Sequence, residues 1–283
     1  MCAHLLDCGC MSTPTTLPTL LLLPRRAASL GEILDAGFGL YRRSLLACLP
    51  LSLLAVLLGQ LPSAYLQSSG QALALDTAKD LSWWLLMLLA AVGTLWCWLV
   101  LMLRQRASLL RQAKSLSGAI DKASEIAAVA SLSTDFLQAS RLLPRAFVTL
   151  LLALVAVALG LLLFVMPGIY LLVGFWPALA LVVFESAEPR AALDGALRLA
   201  RGSWRHLAAT LVVVAMTIFG LFVIGSLIGL VFIKLAEGLP AAVIVAAVLG
   251  ALFQPLLIAF GITAYADLRH RRDQMPASAS SSA

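Results

Sequence analysis

An all-α, polytopic membrane bundle of about six transmembrane helices is the fold this sequence predicts, and three observations predict it. Hydrophobic residues make up 61% of the 283 residues against 12% charged, and the mean hydropathy is +0.99. Long charge-free runs alternate with short basic blocks, which is the third observation. A soluble domain carries about half apolar and about a quarter charged residues. Folded in water, this chain would expose more apolar surface than its polar residues could cover, so its solvent is lipid.

Residues 1–27 read as a disordered tail. Thr16 to Leu23 is too short to cross a bilayer and lacks the basic segment that precedes a signal peptide's apolar core. Cys2, Cys8, Cys10 and His4 crowd this tail without the second paired knuckle of a zinc site. Cys48 and Cys97 fall inside apolar runs, no disulfide framework is implied, and Met11 is a second candidate start.

From residue 28 to 272 a membrane domain is expected. A charge at the bilayer centre costs about 2.5 to 3.5 kcal/mol, so charge-free runs mark spans. Such runs cover Ser44 to Leu66, Leu81 to Leu103, Phe147 to Phe184, Leu207 to Ile233 and Leu239 to Tyr265. The third is about twice the roughly 20 residues that a 30 Å core requires. Pro167-Gly168 interrupts it, and proline breaks a helix where glycine permits a turn. The expected spans are therefore 44–66, 81–103, 147–166, 169–184, 207–233 and 239–265, with a disordered tail at 273–283.

Basic residues orient the bundle. With both termini cytoplasmic, 18 of the 20 Lys and Arg lie inside and only Lys79 and Lys234 outside. This obeys the positive-inside rule for a bacterial cytoplasmic (inner) membrane.

Three cytoplasmic segments have helical, amphipathic spacing. Leu30, Ile33, Leu34, Phe38 and Tyr41 mark the first, opened by a Ser29/Glu32 capping box. The second lies within Leu109 to Leu143, Ala-rich and less regular, and carries Ile120, Ile126, Phe136 and Leu137 among charges. In the third, Pro189 suits a first helical position and Leu193, Ala196, Leu197, Ala200 and Trp204 make one face. Arg198, Arg201 and Arg205 line another face. Such a helix either lies among lipid headgroups, with Trp204 as anchor and the three arginines on anionic lipid, or packs on its own bundle.

Motifs for chemistry are sparse. No glycine-rich phosphate loop, HExxH or GxSxG occurs, and His4, His206 and His270 have no acid-base partner at a recognisable spacing. No catalytic residue, cofactor or metal ligand is expected. The basic residues sit between apolar runs instead of on one soluble face, so the net charge of +6 points to anionic membrane lipids as partners and not to nucleic acid. Within the spans no ionisable group occurs. Gln254 followed by Pro255 is the polar feature to note, because Pro255 frees the Ala251 carbonyl. That kink either lines a cavity or packs with Gln254 bonded to a neighbouring helix. Gly225 and Gly229, and Ala156 with Gly160, allow close helix contact.

Four segments together carry a family likeness: LGEILDAGFGLYRR (Leu30 to Arg43), PGIYLLVGFWPALALVVFE (Pro167 to Glu185), ALDGALRLARGSWRH (Ala192 to His206) and YADLRHRR (Tyr265 to Arg272). In these, residues 28–272 resemble the membrane domain of membrane-anchored glycerophosphoryl diester phosphodiesterases, a domain also found alone in uncharacterised bacterial membrane proteins. The resemblance implies a membrane domain without the activity. In the two-domain relatives the chemistry belongs to a soluble barrel with a metal-binding His-Arg-Gly, a triplet absent from this sequence. The expected role is a non-catalytic scaffold or accessory factor near lipid headgroups, in envelope maintenance, with an unidentified membrane protein partner. A carrier or flippase for a lipid or small apolar molecule is the alternative.

Overall fold

The computed structural model describes residues 28–68, 81–116, 123–235 and 241–274. The Cys2, Cys8, Cys10 and His4 group, the first tail and Lys79 lie outside the described residues. Among the described residues every regular element is a helix: α1 (Leu30–Ser68), α2 (Leu81–Leu116), α3 (Ala123–Leu163), α4 (Val165–Phe175), α5 (Ala178–Glu185), α6 (Pro189–Ala200), α7 (Trp204–Leu235) and α8 (Ala241–Gln274). Six segments are long and apolar enough to cross a membrane, with α4 and α5 together forming one of them. The chain is an all-α, multi-pass membrane protein.

Helix α1 runs on without a break from its amphipathic segment into a span, and α2 from its span into the basic segment that follows. The capping box forms at the start of α1, where the Ser29 amide donates to Glu32 Oε2 at 2.8 Å and the Glu32 amide donates to Ser29 Oγ at 3.3 Å. Of the stretch from Leu109 to Leu143, the part to Leu116 belongs to α2 and the part from Ala123 to α3. Ile120 and the Ile126 side chain lie outside the described residues, Phe136 stacks on Trp96, and Leu137 is exposed.

Helix α1 packs along both α2 and α8, α3 pairs with α4, and α7 lies against α8. Ile33 is fully buried, Leu34 packs beside Phe260, and the Phe38 ring meets Phe260 edge-on at 5.3 Å. Gly37 makes this contact possible, because a Cβ there would stand 2.4 Å from Phe260 Cδ1. The Gly225 and Gly229 pair is filled from within the same chain: added Cβ atoms would meet Leu249 at 2.5 Å and Val245 at 2.3 Å. That close approach joins α7 to α8.

The hairpin turn differs from its expected place. The chain breaks at Phe164, which is extended (φ −158°, ψ 145°), and Pro167 and Gly168 lie inside the first turn of α4. Proline is tolerated in a helix's first turn, where its missing N–H has no intrahelical partner. Gly168 is the closest-approach residue, with Gly160 opposite, and an added Cβ would lie 2.4 Å from Leu161. The following segment is split again at Trp176-Pro177, and Pro177 caps α5.

At the other boundary α6 is shorter than expected. Pro189 does take the first helical position, but Arg201 is extended and Gly202 has φ 88°, a conformation that favours glycine. Trp204 therefore opens α7 and does not close α6. At the far end α8 continues to Gln274, two residues into the expected tail.

Candidate functional site

The polar chemistry gathers where the basic segments meet. Asp267, in the last turns of α8, is buried with its side chain 2% exposed. Its Oδ2 accepts from Arg271 Nε at 2.7 Å and stands 3.1 Å from His206 Nε2, while Oδ1 accepts from the Ala28 amide at 3.2 Å. Arg271 Nη2 donates to the Ala28 carbonyl at 2.7 Å and lies 3.0 Å from His206 Nε2. One carboxylate thus joins the entry to α1, the first turn of α7 and the end of α8.

A second acid does the same for α5. Glu185 Oε1 accepts from Tyr265 Oη and from Arg269 Nη1, the latter at 2.7 Å. Ser186, in the left-handed region at φ 52°, ends α5. Arginines meet the carbonyls there: Arg145 Nη1 donates to Ser186 O at 3.3 Å, and Arg106 Nη1 reaches Val183 O at 3.5 Å with its guanidinium over the Phe184 ring. Cations at helix carbonyl ends are favoured by the dipole. Arg104 pairs with Asp135 of α3 at 3.7 Å.

His206 consequently has an acid partner, contrary to expectation. The chemistry of the pair is closed in, however, because the same Nε2 faces both Asp267 and Arg271. Among the described residues no group of three or more His, Cys, Asp or Glu is placed to hold a metal ion.

The residues singled out from sequence fall into two places. Gln254 is half-buried, and with its amide in the orientation that satisfies both ends it donates to Ser52 O and accepts from Trp98 Nε1, each at 3.3 Å. The Pro255 carbonyl accepts from buried Gln105 Nε2 at 2.8 Å. The kink is therefore bonded to α1 and α2, as in the packing alternative. Beside it, but not lined by Gln254, an apolar cavity of about 310 Å³ lies between α2, α3, α4–α5 and α8. Trp98, Met102, Leu150, Trp176, Leu179 and Ile258 are among its walls.

Around the α6–α7 turn, Arg198, Arg201 and Arg205 are exposed. Arg198 Nε donates to its own helix at Asp194 O. The apolar face of α6 is covered by protein: Ala192, Ala196, Leu199 and Ala200 are buried, and Leu193 packs on the main core. The helix thus packs on its own bundle through this face and leaves the three arginines on the outer side. Trp204 stacks on Tyr170 with ring centroids 5.6 Å apart, and its Nε1 is buried without an acceptor.

The Asp267 and Glu185 centres escaped sequence reading because members from different helices lie 61 to 243 residues apart. The one local signal was the Asp267/Arg271 spacing of four within a helix. Comparison of the chain with protein-family models, curated proteins and solved structures finds no match.

Proposed function

We propose that this protein is a non-catalytic scaffold or accessory factor of the bacterial cytoplasmic membrane, with both termini cytoplasmic, working beside anionic lipid headgroups. The observation that carries the reading is a division among its arginines. Arg104, Arg106, Arg145, Arg269 and Arg271 bond carboxylates and helix-end carbonyls of other helices or of their own. Arg198, Arg201 and Arg205 stand exposed together at the same end. Three such cations near a lipid surface contribute about 1 kcal/mol each toward anionic headgroups. The resemblance to the membrane domain of glycerophosphoryl diester phosphodiesterases supports a membrane-embedded role and brings no activity with it.

Replacing the three arginines with Gln is expected to lower the anionic lipid that co-purifies, and to weaken its salt-sensitive retention, with topology unchanged. Equal lipid content in a correctly inserted triple variant would refute headgroup contact there. An unidentified membrane protein partner is sought by crosslinking in native membranes.

The apolar cavity favours a second reading, a carrier or flippase for a lipid or small apolar molecule. Vesicles holding only this protein would then move such a cargo. Transport lost in a folded Gln254→Leu variant would favour the carrier, because Gln254 bonds Trp98 of the cavity wall and hydrocarbon cannot replace that polar contact.

A further inference from the structure

Both arms of the α3–α4 hairpin are long and apolar enough to cross, yet its contacts describe a different course. We infer that the hairpin carries no turn to the far face of the membrane but lies with its tip in the acyl chains of the leaflet at the basic end.

The tip comes first. Leu162, Leu163, Phe164, Val165 and Met166 are 85%, 73%, 69%, 65% and 80% exposed, and no charged residue occurs from Phe147 to Phe184. The connections assigned to the far side are unlike it, since Asp76, Lys79 and Asp80 mark one and Lys234 and Glu237 the other. A turn in hydrocarbon must satisfy its own backbone. Phe164, which stands between the two helices, does so: its amide donates to Gly160 O at 3.0 Å and its carbonyl accepts from the Gly168 amide at 3.4 Å.

Depth is the second, independent observation. Tyr170 stacks on Trp204, which stands two residues before the His206 that meets Asp267 at the basic end. Only six residues separate Tyr170 from Phe164, roughly 9 Å of helix. A crossing turn would need to lie about 30 Å from that level. Farther along, Val173 packs on the cluster of Ala200, Leu207 and Leu268, and Glu185 bonds Arg269. The chain between them passes Trp176, whose ring lies 4.0 Å from where a Cβ on Gly261 would stand. From Val173 to Glu185 the segment thus leaves the last turns of α8, reaches about two turns down that helix, and returns, with Pro177 at the bend.

The approach of α3 fits the same course. Adjacent residues Asp135 and Phe136 touch Arg104 and Trp96 of α2, which lie roughly 12 Å apart along that helix. Helix α3 therefore crosses α2 steeply instead of running alongside it. The charge split is silent on the matter, because the hairpin holds no Lys or Arg on either count. Both termini stay on one side whether the hairpin crosses or not. The occupant around the tip is lipid acyl chain, whose chemistry matches an uncharged, outward-facing apolar surface.

Spin-label distances in proteoliposomes of this protein alone test the inference, in a background with the native cysteines replaced. Labels at Met166→Cys and Arg201→Cys are expected to lie closer together than labels at Met166→Cys and Val231→Cys, near the far end of α7. The reverse order would overturn the leaflet course. The label at residue 166 should collide with oxygen several-fold more than with a water-soluble nickel complex. Nickel access would place the tip in water, and shielding from both would place protein over it; either result defeats the proposal. In a separate variant, Phe164→Lys should lower the yield of inserted protein several-fold, whereas wild-type yield would contradict a tip in hydrocarbon.

Discussion

Asp267 holds three partners with two oxygens while almost fully buried, and that arrangement sets the cost of losing any one of them. Removing one member of a buried ion pair leaves an uncompensated charge and costs about 3 to 5 kcal/mol. Arg271 and His206 keep 21% and 23% of their side chains exposed, so the lower end applies. Arg271→Met is expected to destabilise the purified protein by about 3 kcal/mol, read from the shift in its unfolding midpoint. Asp267→Asn should cost less, because an amide can still bond Ala28. Equal losses for the two would argue against the charge as the cause. The Ser29/Glu32 cap was legible in sequence because both residues sit in one turn. The His206–Asp267 contact was not, because a pairing across 61 residues leaves no local spacing to read. Gln254 was recognisable as polar in an apolar run, but its partners Ser52 and Trp98 become visible only once three helices meet.

At the scale of single helices, apolar run lengths located the membrane-embedded segments, since the cost of a buried charge leaves a mark on every residue of a span. Boundaries were less legible. Pro167-Gly168 was expected to make the turn, yet a proline three positions into a helix costs nothing and the break fell at Phe164. The end of α6 was likewise missed by the hydrophobic spacing, which continued through Trp204, whereas the positive φ of Gly202 had already stopped the helix. The α7–α8 contact is the element-level feature with the sharpest test. Gly229→Val would drive side-chain atoms into Val245, and overpacking of this kind costs about 1 to 3 kcal/mol. Gly220→Ala, where nothing lies within 4 Å, is the control and should be silent. A loss of stability in the first variant alone, measured by unfolding in detergent, is the expected result.

The whole molecule is packed unevenly between its two ends. Buried side chains concentrate near the basic end, among them Leu99, Leu101, Val183, Phe260, Ile262 and Tyr265. Large apolar side chains toward the other end, such as Leu88, Phe222, Leu227 and Ile244, face outward. Every long-range ion pair described above also lies at the basic end, in keeping with the proposed cytoplasmic placement of both termini. Single cysteines at Thr77 and Gly238 are expected to react with an impermeant thiol reagent added outside intact cells, and ones at Ser117 and Ser278 to stay unreactive. Labelling of Ser117 would invert or redraw the topology. Charge distribution made the proposed orientation readable from sequence alone, while the course of the α3–α4 hairpin was hidden because an uncharged segment weighs equally on either side.

The bond from the Ala28 amide to Asp267 spans 239 residues of chain, and it orders events in time as well as in space. At about 5 to 20 residues per second, α1 waits roughly ten to fifty seconds after its own synthesis before its partner on α8 exists. During that interval the face of α1 that will carry Ile33 and Ser52 against α8 has only α2 beside it. Helix α1 is thus completed by α8, made long after it, and a chain interrupted before α8 leaves that face of α1 uncovered. The latch at Asp267 in effect marks a chain as synthesised through α8.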